Sequence, residues 1–192
     1  MSNHKSHRFF QDEVERRKWQ KPEDILDGIG LRPGCTFMDI GCGEGFFAIP
    51  AARVVGPQGK VYGVDIDGEA IANLKEKASK EGLANLILSV GEAEETIFCR
   101  ACANIVFFGI DLHDFRDAGK VLKNASVMLK PDGRLVDLDW KKKLMPFGPP
   151  LWKRFSEEKA TGLIEAAGFR IETTRDVSPY HYVIVAAPGT KV

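Results

Sequence analysis

Apolar positions along this chain switch repeatedly between a spacing of two and a spacing of three and four, which predicts strands alternating with helices. Residues 9 to 28 read as two helical pieces broken before Pro22, and Gly28, Gly30 and the turn Arg32-Pro33-Gly34 end them. Cys35–Ile40 is a short apolar strand that runs into Gly41-Cys-Gly-Glu-Gly45 and then into an apolar helix, Phe46 to Val55, with Pro50 in or near its first turn. A second strand spans Lys60–Asp65, and Asp67 has the short acceptor side chain that caps the next helix, roughly 68 to 81. Strands Leu86 to Val90 and Asn104 to Ile110 flank a short helical link; Ala118, Val121, Leu122 and Ala125 then mark a helix that Lys130-Pro-Asp-Gly133 stops. A fifth strand, Arg134 to Asp139, leads through a Lys-, Pro- and Gly-rich loop to a helix capped by Ser156, with Ala160, Leu163, Ile164 and Ala167 on its buried side and Gly168 at its end. Phe169 to Val177 and Tyr180 to Ala187 are joined only by Ser178-Pro179, too short for a parallel crossover, so they pair antiparallel. Five strands linked by helices plus this hairpin make a doubly wound α/β fold with a seven-stranded, mostly parallel sheet.

Composition narrows the function. The 192 residues carry 27 Lys+Arg against 27 Asp+Glu, so no long-range positive field exists to hold a nucleic acid. A hydrophobic content of 44% is that of a globular domain, and no run of about 20 apolar residues is present to span a membrane. The charged stretch from Met1 to Glu13 has no apolar core of the kind a signal peptide needs, so a cytoplasmic, single-domain protein over 1–192 is expected, as a monomer or homodimer. Cys35, Cys42, Cys99 and Cys102 are too few for a disulfide scaffold and are expected as reduced thiols; Cys99 and Cys102 read as packing residues on a helix rather than half of a zinc site. No metal site is expected.

In an open parallel sheet, ligands bind beyond the carboxyl ends of the strands where strand order reverses, normally after the first strand. Gly41, Gly43 and Gly45 lie there, and Asp65 ends the second strand twenty residues beyond Gly45, where a carboxylate accepts hydrogen bonds from a ribose. The dinucleotide pattern needs a glycine where this chain has Phe46, which disfavours a pyrophosphate, and no Gly-Lys-Ser/Thr follows the turn to make a phosphate loop.

Asp39-Ile-Gly41-Cys-Gly43-Glu-Gly45, Val64-Asp65-Ile66-Asp67, Gly91-Glu92-Ala93-Glu94, Phe108-Gly109-Ile110-Asp-Leu112-His113 and Leu129-Lys-Pro-Asp-Gly133 together resemble, in order and spacing, the class I S-adenosylmethionine-dependent methyltransferases. The likeness covers about residues 20 to 187 and is greatest to the small-molecule branch that includes the ubiquinone and menaquinone C-methyltransferases. It implies a Rossmann-like methyltransferase fold and S-adenosyl-L-methionine as cofactor, with S-adenosyl-L-homocysteine as product. A small-molecule acceptor would take the methyl group by in-line displacement, which requires alignment and exclusion of water but no metal. It also implies Asp65 on the ribose, Ile66 against adenine, Glu92 and the amide of Ala93 on the adenine edge, and backbone near Gly109 at the methionine ammonium. Asp39 either orients the loop and the ammonium or serves as an Asx turn. His113 is a weak catalytic candidate beside the plainer reading of a packed histidine. Trp140, Lys141 and Arg154, in an acceptor-side loop over 140–155, either meet an anionic acceptor or form a solvated basic loop. Residues 1–30, with Phe9, Phe10 and Trp19 among Arg8, Arg16 and Arg17, are a lid over the cofactor or a plain packing helix. An RNA or protein methyltransferase and a non-catalytic cofactor-binding module are the alternatives. Gly109-Ile-Asp-Leu lacks the motif that amine methylases use, which counts against the first, and turnover separates the second.

Overall fold

The computed structural model describes residues 13–189, so Arg8, Phe9 and Phe10 of the expected lid lie outside the described residues. In chain order the elements are α1 (Glu13–Trp19), α2 (Pro22–Gly28), β1 (Thr36–Ile40), α3 (Ala48–Val55), β2 (Lys60–Asp65), α4 (Gly68–Lys80), β3 (Leu86–Val90), β4 (Ala103–Gly109), α5 (Ala118–Met128), β5 (Leu129–Trp140), α6 (Glu157–Ala166), β6 (Phe169–Asp176) and β7 (His181–Pro188). Caps fall where short acceptor side chains stand: Asp67 accepts from the amides of Glu69 and Ala70 at 2.9 and 3.2 Å, and Ser156 from that of Lys159 at 3.2 Å.

The seven strands are ordered β3-β2-β1-β4-β5-β7-β6. β1 to β5 pair in parallel, and β7 runs antiparallel to both β5 and β6. Strand alternation divides the core into two layers. Phe37, Phe107, Val136 and Leu138 pack under α2, α3 and α4, with Leu26, Ile49 and Leu74 opposite them. Met38, Ile40, Val106, Phe108 and Leu135 face α5 and α6 through Val121, Leu122, Ala160 and Ile164. The chain leaves β1 toward β2 and β3, then returns to β4 on the other flank of β1. That reversal opens a crevice at the carboxyl ends of β1 and β4.

Three local expectations are corrected. The helix ends before Lys130-Pro-Asp-Gly133, at Met128, but β5 begins earlier than Arg134: Leu129 pairs with Ala103, and the register slips before resuming at Ile105 and Arg134. Gly133 passes so close to Ala103 that a Cβ there would sit 2.8 Å from its carbonyl oxygen. The link after β3 is a single 3-10 turn, Ala93–Glu95, followed by irregular chain. Cys99 and Cys102 are neither helical nor reduced. Ala101 takes a φ of 49°, which turns the chain back, and the two cysteines, 6.1 Å apart at Cα, are joined as a disulfide while Cys35 and Cys42 stay free.

Candidate active site

The glycine loop between β1 and α3 explains its own composition. Gly41, Gly43 and Gly45 have φ of 82, 49 and 90°, the left-handed region in which a side chain is penalised. The loop is tied down from below, because the amides of Gly41 and Cys42 donate to the carbonyl of Val64 at 2.9 and 3.0 Å. Cys42 packs against Gly63 of β2, and burial pushes its thiol far above the ordinary range, so it fills space beneath the loop as a neutral thiol. Around Gly43 there is open space within 4 Å of where a Cβ would stand.

Asp65 links this loop to the next helix. One oxygen accepts from the Gly43 amide at 2.8 Å and the other from the Asp67 amide at 2.9 Å, which leaves further lone pairs on each for a ligand hydroxyl. Its carbonyl accepts from Gly91 at 3.0 Å and so draws the end of β3 alongside. Ile66 follows with 65% of its surface exposed, and Val90 is exposed beside it. Ala93 is buried in the 3-10 turn, whereas Glu92 is half held at the surface by Arg116 at 3.1 Å.

Asp39 is buried at the carboxyl end of β1, where it accepts from the amide of Ala48 and keeps one oxygen without a partner. Burial first, and then repulsion from Asp65, raise its carboxyl to about 7, against the pull of Arg16. A third acid, Asp111, completes the group. Ile110 adopts a φ of 77°, rare for a β-branched residue, while its amide donates to Leu138 at 2.7 Å. This turn lays Asp111 over Gly41, whose Cβ would fall 2.8 Å from the Asp111 carboxyl carbon. Burial, then Asp65 and Asp39, push the Asp111 carboxyl well above its ordinary value. Gly109 lets the end of β4 lie against Phe47, 3.0 Å from where its Cβ would be.

The opposing cation is Arg16 of α1. Its guanidinium lies 3.7 Å above the centre of the Phe46 ring, Nε donates to Gln20 at 2.7 Å, and Asp111 and Asp39 attract it. Desolvation lowers it to about 10, so it stays charged at neutral pH. The sequence places Arg16 only among the residues of a lid or packing helix and gives Asp111 no role, although the position of Asp111 just past β4, in the switch-point crevice, is a usable signal.

The remaining candidates lie toward β5. The His113 side chain is only 1% exposed, with Nδ1 2.8 Å from the buried carboxylate of Asp139 and Nε2 3.7 Å from Asp114. Burial opposes its charge, but the bond to Asp139 prevails and raises its pKa. Trp140 is buried and meets Trp19, Phe147 and His181 at ring distances of 5.9, 6.1 and 4.2 Å. Lys141 is ion-paired with Asp176. Arg154 turns inward and donates to the carbonyls of Pro149, Phe147 and Lys143 at 2.7, 2.9 and 3.0 Å, stapling the loop. Trp19 stacks on His181 at 5.4 Å and packs on Phe147 at 5.8 Å, so α1 closes against this loop. A cleft of about 200 Å³ lies between α1, α2 and the β6–β7 turn, lined by Trp19, Gln20, Ile25, Ser178 and His181.

The glycine loop, three acids and reversed strand order meet in one crevice, and comparison with known proteins gives the chain a family. The chain belongs to the methyltransferase domain family, whose profile matches residues 31–168. It is 32% identical over 122 residues to demethylmenaquinone methyltransferase of Geobacillus kaustophilus, covering 64% of this chain and 51% of that one. It is also 32% identical over 111 residues to nocamycin O-methyltransferase of Saccharothrix syringae, covering 58% of this chain and 40% of that one. The chain thus spans about half or less of the length of these relatives. A SAM dependent methyltransferase from Aquifex aeolicus has the same fold with a TM-score of 0.85 and 28% identity, over 91% of this chain and 97% of that one. Among the described residues no helix is long and apolar enough to cross a membrane.

Proposed function

We propose that this chain transfers a methyl group from S-adenosyl-L-methionine to a small-molecule acceptor and releases S-adenosyl-L-homocysteine. The observation that carries the reading is the cluster of acids in the crevice: Asp39, Asp65 and Asp111 gather around a left-handed glycine loop, and burial together with the charge of Asp65 raises the carboxyls of Asp39 and Asp111. Acids so placed disfavour the pyrophosphate of a dinucleotide and suit a nucleoside bearing positive charge, beside which Asp39 and Asp111 would give up their protons. When bound, the cofactor supplies a methyl group activated by its cationic sulfonium.

The chain's own residues bind and orient it. Asp65 accepts from the ribose hydroxyls while still holding the loop, and Ile66 with Val90 offers an apolar face to the adenine. Glu92 and the Ala93 amide stand at the adenine edge, and Asp39, Asp111 and the backbone at Gly109 surround the cationic end. α1 closes over the crevice, with Arg16 opposite the acids and Trp19 against the acceptor-side loop, which keeps water out. Trp140, Lys141 and Arg154 shape the acceptor side by fixing that loop. His113, enclosed and bound to Asp139, holds the ends of β4 and β5 together instead of serving as the base.

The test is turnover. Purified protein, S-adenosyl-L-methionine and a panel of phenols, quinols, thiols and amines are expected to release S-adenosyl-L-homocysteine with at least one acceptor. Binding of the cofactor without turnover on any of them, or turnover only on RNA or protein, contradicts the reading.

A further inference from the structure

We propose that the loop between β5 and α6 docks on an anionic lipid surface. The loop concentrates charge in a chain whose formal net charge is zero: Lys141, Lys142, Lys143, Lys153 and Arg154 lie between Asp139 and Glu157 with no acidic residue among them. Lys141 is answered by Asp176, Lys153 by Asp114 at 2.9 Å and Arg154 by backbone carbonyls. Lys142 and Lys143 are exposed and have no ion-pair partner among the described residues.

The same loop carries the largest apolar exposure in the described structure. Leu144 is 89% exposed and Trp152 77%, and Leu151 is exposed next to Trp152. Phe147 is different, because its ring is engaged by Trp19 and Tyr180 at 5.8 and 4.7 Å. These side chains are not loose ends. Arg154 binds the carbonyls of Lys143, Phe147 and Pro149, and Lys153 donates to Pro150 at 2.9 Å, so the backbone that presents them is already shaped. Holding apolar side chains in water on a stapled loop is unfavourable unless something covers them.

The chemistry of the patch selects the occupant. A tryptophan and leucines beside lysines match the interface of a bilayer, where rings and aliphatic chains enter the headgroup boundary and ammonium groups stay with anionic lipids. Leu144 and Leu151 offer nucleic-acid bases no stacking face, and two unanswered lysines are too few to hold a phosphate backbone against salt. The loop follows β5, at the same end of the sheet as the glycine loop, so docking would set the acceptor side of the molecule against the lipid surface. The proposal goes beyond the methyltransferase reading and does not depend on it.

The experiment is flotation of the full chain with vesicles of phosphatidylcholine alone or an even mixture of phosphatidylcholine and phosphatidylserine. The protein is expected to float with the mixed vesicles at low salt, to stay behind with the neutral ones, and to be released as salt rises. Each lysine near such a surface accounts for about a fivefold change in partition, so Lys142→Glu with Lys143→Glu is expected to weaken it at least roughly tenfold. Leu144→Ser with Trp152→Ser, which leaves the lysines in place, is expected to lose a similar factor of about ten or more. All four side chains are exposed, so unchanged melting curves verify the fold of both variants. Wild-type protein that ignores the mixed vesicles, double variants that float as well as wild type, or capture by a single-stranded oligonucleotide in place of vesicles overturns the proposal.

Discussion

Asp39 is expected to tie cofactor binding to pH. Its carboxyl stands at about 7 because burial and the charge of Asp65 disfavour ionisation more than Arg16 and the Ala48 amide favour it. A cationic ligand brought beside it favours the carboxylate, so binding below about pH 7 releases a proton. With that value, about nine-tenths of the free protein carries the proton at pH 6 and about one-tenth at pH 8, so a ligand that requires the ionised form binds roughly tenfold tighter at pH 8, or ~1.4 kcal/mol. Isothermal titration with S-adenosyl-L-methionine in two buffers of different ionisation enthalpy measures both quantities. Asp39→Asn isolates the group, because the ligand's own amino group titrates identically with either protein. The wild type is expected to show the steeper gain in affinity from pH 6 to 8 and the extra proton released; parallel curves for the two proteins would mean that Asp39 does not ionise on binding. Stability without ligand runs the other way. The folded value is raised above the unfolded one, so Asp39 destabilises progressively as pH climbs from the ordinary carboxylate range through about 7. Asp39→Asn is therefore expected to melt higher than wild type at pH 8 and no higher at pH 4.

Two further outcomes follow from the β5 side. His113→Ala leaves the buried Asp139 carboxylate without its partner and is expected to cost about 3–5 kcal/mol in urea denaturation. Because the folded His113 value is raised, the pair contributes in full below the unfolded value and fades as pH rises through the folded one, so the deficit is expected to be larger at pH 6 than at pH 9. Arg154→Met removes the donors that hold the carbonyls of Lys143, Phe147 and Pro149. Trypsin is then expected to cut at Lys142 or Lys143 at least several-fold faster than in wild type, and an unchanged rate would deny the stapling role.

The parts of the fold that were legible in the sequence are those set by local chemistry. Three alternate glycines marked the loop after β1, and all three adopt the left-handed backbone that glycine permits. Asp67 and Ser156 stood where caps belong, and the two-residue link at Ser178-Pro179 admitted only antiparallel pairing. What stayed hidden depends on the meeting of distant segments. Arg16 reaches the acids only because α1 folds back over the crevice, and Asp111 does so only because Ile110 accepts a strained φ, which nothing in its residue type suggests. Asp139 left a trace that went unused, since Asp137 and Asp139 alternate with Val136, Leu138 and Trp140 in a strand otherwise apolar on both faces. The Cys99–Cys102 pairing turns on Ala101 adopting a conformation that sequence disfavours. Trp140 and Arg154 lay in the expected loop, but their inward orientation follows from the packing of Trp19 and of carbonyls that no periodicity reveals.

We propose that the Gly41–Gly45 loop and Asp65 together form a site for an S-adenosyl nucleoside. Titration of S-adenosyl-L-homocysteine, with NAD in parallel, into wild type, Asp65→Asn and Asp65→Ala tests it most directly, each variant being checked for an intact melting transition. Binding of the homocysteine compound in roughly the micromolar range, about −8 kcal/mol, is expected, with a loss of about a hundredfold or more in Asp65→Ala and no heat from NAD. Saturation by NAD, or equal affinity of wild type and a folded Asp65→Ala for S-adenosyl-L-homocysteine, would contradict it.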